Sequence, residues 1–194
     1  MIVGVQQWIA KLFTRPRAEP VQLPTEWEGA GCIFTNGRHI LGGYQPHKSP
    51  PSISGIGGAR EGADRSVFHT AMRETLEELF NLNLRDVNAG LLDTLYRTLP
   101  PVKFTVTDVP GWGAYVAIVY TLDDLERLLR MRLPRSDLYL RAPRTLQDLL
   151  LKRAVRADVE LSHLCLLPVV DHNTGASFVS EELMKDIAEL CKKN

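Results

Sequence analysis

Three glutamates, Glu74, Glu77 and Glu78, are spaced so that a helix would place them on one face. Side chains three and four residues apart are neighbours on a helix, so these carboxylates would repel one another, and more strongly where they are partly removed from water. A divalent cation would relieve that repulsion. Mg²⁺ prefers oxygen ligands and is usually held by one or two carboxylates together with substrate phosphates. The spacing therefore predicts a metal site that acts on a phosphorylated substrate.

The elements that must position these glutamates are a glycine turn and an amphipathic helix. Gly57 and Gly58 precede the acidic stretch, and their bare backbone can adopt positive φ and bring a main-chain carbonyl to the same cation. Apolar residues at helical spacing predict a buried stripe beside the glutamates. The stripe comprises Val67, Phe68, Ala71, Met72, Leu76, Leu79 and Phe80.

The stretch from Gly58 to Asn81 resembles the signature of the Nudix hydrolases, G-x5-E-x7-R-E-U-x-E-E-x-G-U, in which U is aliphatic. Residues 73–78 supply the central R-E-U-x-E-E, with Thr75 a borderline match to U. Eight residues, rather than the seven of the signature, separate Asp64 from Arg73. The other departures are Asp64 for the first glutamate, Phe80 for the glycine and Asn81 for the last aliphatic residue.

This resemblance implies an α/β fold, an α/β/α sandwich around a mixed β-sheet. It also implies hydrolysis, with Mg²⁺ or Mn²⁺, of the diphosphate linkage in a nucleoside diphosphate joined to a second group. Glu77 and Glu78 would bind the metal, and Glu74 would share in binding it or act as the base on the attacking water. The Gly58 carbonyl would complete the metal shell, while Arg73 would hold the loop and a glutamate in place.

Two further site residues come from the resemblance. The family often takes another acid from just before a late strand, which indicates Glu160, with Asp158 behind it. Tyr96 lies near the distance at which dinucleoside polyphosphate hydrolases often carry a tyrosine.

The residues themselves suggest three substrate contacts. His47 and Lys48 lie in a proline-rich loop, 46–52, where they would contact phosphate or simply be exposed charges. Trp112 lies between two glycines, where it would stack on a base or cap the core.

The chain is expected to divide into an N-terminal helix and linker, residues 1–26, and a hydrolase domain, residues 27–194. A hairpin is predicted at Asn36-Gly37 and a terminal helix from Ser180. Strands are predicted at 28–35, 39–45, 52–58, 89–98, 102–108, 114–121 and 159–170.

Residues 122–158 are interpreted as a helical insertion. Between residues 127 and 156, nine basic and two acidic side chains give a net charge of plus seven, although the whole chain is neutral. Such a charge can steer a polyanion, so RNA, as in decapping of an mRNA 5′ cap, and a diphosphoinositol polyphosphate remain alternatives to a small nucleotide. Alternatively, the arginines of this segment simply lie on solvated helix faces and bind no polyanion. The leucines at 125, 128, 129, 146, 149 and 150 could instead face a second subunit of a homodimer.

Composition narrows the remaining possibilities. The chain is 44% hydrophobic and 24% charged, which favours one globular domain. Cys32, Cys165 and Cys191 lack metal-binding spacing and are predicted to be reduced thiols of a cytoplasmic protein, and no membrane span is expected. The altered signature leaves open a second class of function, a module that binds a nucleotide, RNA or protein without hydrolysis. Hydrolysis is favoured because all three signature glutamates are present.

Overall fold

The structure, a computed structural model, describes residues 19–83, 85–169 and 178–191. The N-terminal helix predicted before residue 14 lies outside the described residues. Trp27, at the start of the predicted hydrolase domain, is buried, and its indole N–H donates to Thr70 Oγ1 at 2.9 Å. The linker residues just before it lie against the domain, where Val21 N–H donates to the carbonyl of Pro101.

Seven strands form one mixed sheet in the order β3-β2-β1-β6-β5, with β4 also paired to β1 and β7 to β2. The strands β1 and β6 run parallel, with Gly29 opposite Tyr115, and the other pairs are antiparallel. The bounds are β1 Gly29–Thr35, β2 His39–Gln45, β3 Ser52–Ser54, β4 Ile56–Ala59, β5 Phe104–Val109, β6 Gly113–Thr121 and β7 His163–Pro168.

Helices cover both faces of this sheet. Because side chains alternate along a strand, β1 contributes Cys32 and Phe34 to a large core on one face and Ile33 to a smaller core on the other. The predicted α/β sandwich around a mixed sheet is confirmed. The described helices are α1 Val67–Phe80, α2 Ala89–Thr98, α3 Leu122–Leu129, α4 Leu146–Leu151 and α5 Glu181–Cys191, and only α5 packs on the smaller core.

The helix α1 begins and ends at residues suited to those positions. Ser66 Oγ accepts a hydrogen bond from His69 N–H, which satisfies one of the free amides of the first turn. Asn81 adopts the left-handed conformation, φ 53°, which asparagine tolerates better than most residues. Because the left-handed residue is Asn81, Phe80 can carry a side chain, and its ring is buried in the core.

One predicted strand is a helix. Residues 89–98, expected to be extended, form α2, because Asn88 Oδ1 accepts Leu91 N–H at 3.0 Å and caps a helix start. Leu92 and Leu95 are three residues apart and both buried, which is helical spacing. The strand prediction for this segment was therefore wrong.

The segment 122–158 is helical only in part. Thr121 and Asp124 form a capping box that starts α3, but α4 ends at Leu151. The leucines considered for a second subunit instead pack within this chain: Leu125, Leu128, Leu129 and Leu149 are buried in the large core, and Leu146 and Leu150 pack against it. The alternative in which these leucines face a second subunit is therefore not supported, because they pack within this chain.

The three cysteines are free thiols, as predicted. Burial raises the pKa of Cys32 to about 12, so it is expected to stay protonated. Throughout the described ranges, the helices are too short or too polar to cross a membrane.

Candidate active site

The strand β4 brings two glycines directly beneath helix α1. Gly57 has φ 152°, and a Cβ there would lie 2.5 Å from the Cα of Gly31 on the neighbouring strand. A Cβ on Gly58 would lie 2.7 Å from the carboxyl group of Glu74. Gly57 must be glycine because the backbone of the neighbouring strand approaches too closely for a side chain, whereas a side chain at Gly58 would displace the Glu74 carboxylate.

Gly29 provides the same kind of space on the adjacent strand. A Cβ on Gly29 would lie 2.7 Å from the Gly58 carbonyl oxygen and would overlap the ring of Trp112. The indole therefore covers bare backbone beside the carbonyl that was predicted to bind metal.

Arg73 is the hub of the cluster. Its side chain is 2% exposed and its guanidinium donates to Glu74 Oε1 at 2.8 Å, Glu77 Oε2 at 3.0 Å and Asp64 Oδ2 at 3.0 Å. A fourth bond, at 2.8 Å, goes to the carbonyl of Ala59 in β4. Asp64, the residue in place of the signature glutamate, thus still pairs with Arg73 despite the extra residue between them.

Glu78 is the most deeply buried carboxylate of the group, at 4% exposure. Its Oε2 accepts the Gly57 N–H at 2.8 Å, whereas its Oε1 is buried and has no hydrogen-bond partner among the described residues. Burial, followed by the nearby charge of Glu160, raises the pKa of Glu78 well above its usual range. A buried carboxylate oxygen without a partner is costly, and it fits a site built to bind a cation.

The neighbouring glutamates are also perturbed. Burial and the charges of Glu77 and Glu160, opposed by the charge and hydrogen bond of Arg73, raise the pKa of Glu74 to about 7. The pKa of Glu77 is raised mainly by burial as well. Carboxyl groups whose pKa values are raised by burial and by neighbouring like charges are common at catalytic sites.

Glu160 joins this cluster from the segment before β7. Its Oε1 accepts a hydrogen bond from Gln45 Nε2 at 2.8 Å, and its charge acts on both Glu74 and Glu78. Asp158, named as the residue behind it, is instead paired with Arg156 on the surface. Of the two, Glu160 is the acid that lies at the site.

A cleft of about 700 Å³ opens beside Gly58 and Glu160. Lys48 and Trp112 are among the residues that line it. His47 is not among its lining residues, and the His47 imidazole Nε2 lies 2.6 Å from the Ala157 carbonyl oxygen.

Tyr96 is not brought to the cleft. Its ring packs edge-on against Phe68, with centroids 5.1 Å apart, and it lies on α2 rather than on the strand expected there. The structure thus separates two of the four predicted substrate residues, His47 and Tyr96, from the other two.

Sequence reasoning missed several residues of the cleft. Asp186 on α5 lines it together with Ser54, whose buried Oγ has no described hydrogen-bond partner, and the partly buried Tyr115 of β6 lines it as well. Burial raises the pKa of Asp186 to about 7, and the charge of Glu182 adds to the shift. The helix prediction for residues 180–191 was the only available signal, and it does not indicate which polar residue faces inward.

The basic residues of the segment 127–156 are largely engaged within the chain. Arg127 pairs with Asp124, Arg130 with Glu126, and Lys152 with Asp148. Arg153 is buried and bonds main-chain carbonyls, and Arg156 pairs with two aspartates. Over the whole predicted insertion, 122–158, six acids face the nine bases, so the net charge falls to plus three.

The donor atoms of this carboxylate cluster suit a divalent metal ion. The oxygen donors, the orphan Glu78 Oε1 and the close approach of Glu74 to Gly58 suit a hard divalent cation. Within the described ranges, however, no three His, Cys, Asp or Glu side chains already converge as a finished metal site. Arg73 accounts for part of this, because its guanidinium now holds Glu74 and Glu77.

No family model matches the sequence, and no curated protein matches it. Several solved structures are similar in fold, including a bifunctional NMN adenylyltransferase/ADP ribose pyrophosphatase from Francisella tularensis. That likeness has 14% identity and a TM-score of 0.47, and it covers 97% of this chain but 44% of the other. The chain therefore spans less than half the length of that protein, which was also solved in complex with AMP and an Mn ion.

Two shorter proteins are similar over nearly their whole length. A NUDIX hydrolase from Nitrosomonas europaea has 11% identity and a TM-score of 0.44, covering 87% of this chain and 90% of its own. A mutT/nudix family protein from Listeria innocua has 16% identity and a TM-score of 0.43, covering 89% and 95%. The structural neighbours thus include the family whose signature the sequence resembles.

Proposed function

We propose that this protein is a Nudix-type hydrolase that uses Mg²⁺ or Mn²⁺ to cleave the diphosphate linkage of a nucleoside diphosphate joined to a second group. The observation that carries the proposal is Glu78, which is buried, bound at one oxygen by Gly57 and unpartnered at the other, beside two more carboxylates. A protein gains nothing for stability from such an arrangement. A cation bound between these oxygens would compensate this unfavourable arrangement.

The residues that would hold the cation are Glu74, Glu77, Glu78 and the main-chain carbonyl of Gly58. When bound, a divalent cation supplies charge neutralisation for the diphosphate and makes a water more acidic. Arg73 orients two of the ligands: it donates to Glu74 and Glu77 from one side and to Ala59 from the other. It therefore links the loop to the helix that carries the carboxylates.

Glu74 would share in binding the cation or act as the general base on the attacking water. A base works best when its pKa is close to the working pH, and the pKa of Glu74 is about 7. Its carboxyl group lies directly against Gly58, where the diphosphate would enter from the cleft. Glu160, fixed by Gln45, is proposed as the further acid of the site.

The cleft would hold the substrate. Lys48 offers a cation for a phosphate and Trp112 a flat surface for a base. Asp186 and Ser54, which also line the cleft, offer hydrogen-bonding groups to the remainder of the substrate. A small diphosphate is favoured over RNA because five of the nine basic side chains of segment 127–156 already have partners: Arg127, Arg130, Lys152, Arg153 and Arg156.

The test is a hydrolysis screen with Mg²⁺ and Mn²⁺ over nucleoside diphosphate-X compounds, dinucleoside polyphosphates, capped RNA and diphosphoinositols. Glu77→Gln is expected to abolish metal-dependent turnover while the protein stays folded. Glu26→Gln, an exposed change of the same kind, is the control and should leave turnover unchanged. Ligand binding without any product across the panel would instead indicate a binding module, and unchanged turnover in Glu77→Gln would remove the metal assignment.

A further inference from the structure

Arg153 is a buried arginine that is not among the residues of the candidate active site. It follows α4, and its side chain is 8% exposed. From the sequence it is one of the basic residues of segment 127–156, but the fold turns it inward, away from any polyanion.

Its guanidinium connects two parts of the candidate site. The Nη1 group donates to the carbonyl of Leu79 at 2.6 Å, and Nη2 donates to the carbonyls of Glu78 at 2.8 Å and Leu161 at 2.7 Å. Glu78 is the buried carboxylate of helix α1, and Leu161 directly follows Glu160. One planar group thus bonds the main chain at, or next to, both acids.

The chemistry suits an arginine. The last carbonyls of a helix lack partners within the helix, and they carry partial negative charge that attracts a cation. The guanidinium presents several N–H groups in a fixed fork, so it can bond the end of α1 and the Glu160 segment together. A lysine has the charge but not the planar geometry.

Other groups already cap the same helix end. Ser136 Oγ donates to the Phe80 carbonyl, and the Asn81 backbone N–H donates to the Glu77 carbonyl. Across the described parts of the chain, Arg153 alone has a side chain bonded both to this helix end and to the Leu161 carbonyl. The cross-connection is therefore separable from simple capping.

We propose that Arg153 is a positioning residue that sets the placement of Glu160 relative to Glu78, and with it the affinity of the site for a divalent cation. The cation part rests on the proposed function, while the placement of the two acids does not. Through these hydrogen bonds to the main chain, the segment 122–158 would support the two acids of the proposed active site.

The variants are Arg153→Lys and, as a matched control, Ser136→Ala, which removes a cap from the same helix end without touching Leu161. Arg141→Lys, at an exposed position, controls for the chemical change itself. Crystal structures of wild type and Arg153→Lys measure the separation of the Glu78 and Glu160 carboxylates. Electron paramagnetic resonance measures Mn²⁺ affinity of the free proteins, and urea unfolding measures their stability.

Arg153→Lys is expected to shift Glu160 away from Glu78 and to weaken Mn²⁺ binding about tenfold or more, the size of effect typical when a residue that supports metal ligands is lost. Ser136→Ala is expected to lower stability while leaving Mn²⁺ affinity unchanged. An unchanged carboxylate separation, or equal losses of Mn²⁺ affinity in both variants, would overturn the positioning role. If the separation changes but wild type itself neither binds Mn²⁺ nor hydrolyses any diphosphate, the placement stands, and the cation role and proposed function fail.

Discussion

Arg73 and Asp64 form an ion pair that is almost completely enclosed, with Nη2 and Oδ2 3.0 Å apart and the side chains 2% and 3% exposed. Asp64 also accepts hydrogen bonds from Glu61 N–H and Thr70 Oγ1. Burial alone would raise the pKa of Asp64, but the hydrogen bonds from Arg73 and its other donors hold it below the usual value. Asp64, which stands where the Nudix signature has glutamate, thus holds the loop between β4 and α1 in place.

Replacing Asp64 by Asn is expected to destabilise the protein by about 3 kcal/mol, at the low end for breaking a buried ion pair. The loss is not larger because Glu74 and Glu77 still compensate the charge of Arg73. Urea unfolding measures the change. Arg130→Ala, which breaks an exposed pair with Glu126, is the control and should cost less than about 1 kcal/mol. Equal losses in the two variants would contradict the structural role of Asp64.

Gly58→Ala should reduce activity more than stability. The new Cβ would meet the carboxyl group of Glu74 at 2.7 Å, and that flexible side-chain end can move aside at little cost to folding. Moving it displaces the proposed metal ligand or base, and misplacement by about 1 Å can cost roughly a hundredfold in rate. Steady-state kinetics and thermal unfolding measure the two effects. Gly62→Ala, in open space of the same loop, is the control; equal turnover in both variants would show that Glu74 need not lie against Gly58.

Asp186→Asn should stabilise the protein, and more at high pH than at low pH. Burial raises the pKa of Asp186 to about 7 from 3.8, so the folded state holds its proton longer than the unfolded state does. As pH rises from 3.8 to 7, the unfolded chain loses this proton first and stability falls. The gain from Asn should therefore be greater at about pH 8 than at about pH 5, by on the order of 2 kcal/mol.

Urea unfolding at the two pH values checks this, with Glu26→Gln as an exposed control. A gain that does not depend on pH would mean that the Asp186 carboxyl titrates normally. A stabilised variant with altered preference among nucleoside diphosphate-X substrates would indicate that the buried acid is kept for substrate recognition at a cost in stability.

The sequence predicts best where periodicity and caps agree. Helix α1 has a buried stripe and Ser66 before it, and the hairpin at Asn36-Gly37 has its turn residues in place, so both were predicted closely. The strand prediction for residues 89–98 overlooked that the apolar pairs Leu91-Leu92 and Leu95-Tyr96 recur four positions apart, which is helical spacing. There the cap by Asn88 decides.

Long-range contacts explain what the sequence could not provide. Arg153 and Arg156 have the same side chain and lie three positions apart, yet Arg153 is buried on main-chain carbonyls and Arg156 pairs with aspartates at the surface. Asp186 faces the cleft only because α5 packs on the second face of the sheet. Composition and spacing carry no information on such choices, since tertiary packing determines which side of a segment is covered.

Glu78→Gln gives a test in which metal-free and metal-bound stability respond in different ways. Without metal, the neutral amide can still accept the Gly57 N–H while it removes a buried charge, so its Tm should equal or exceed that of wild type. A ligand at a hundred times its Kd adds about 2.7 kcal/mol, or roughly 5–10 °C in a chain of this size. Mn²⁺ should therefore raise the Tm of wild type by that amount and leave Glu78→Gln unchanged. Thermal unfolding with and without Mn²⁺ measures the metal-free Tm and the increase in Tm caused by Mn²⁺. An equal increase in Tm in the two proteins would place the cation away from Glu78.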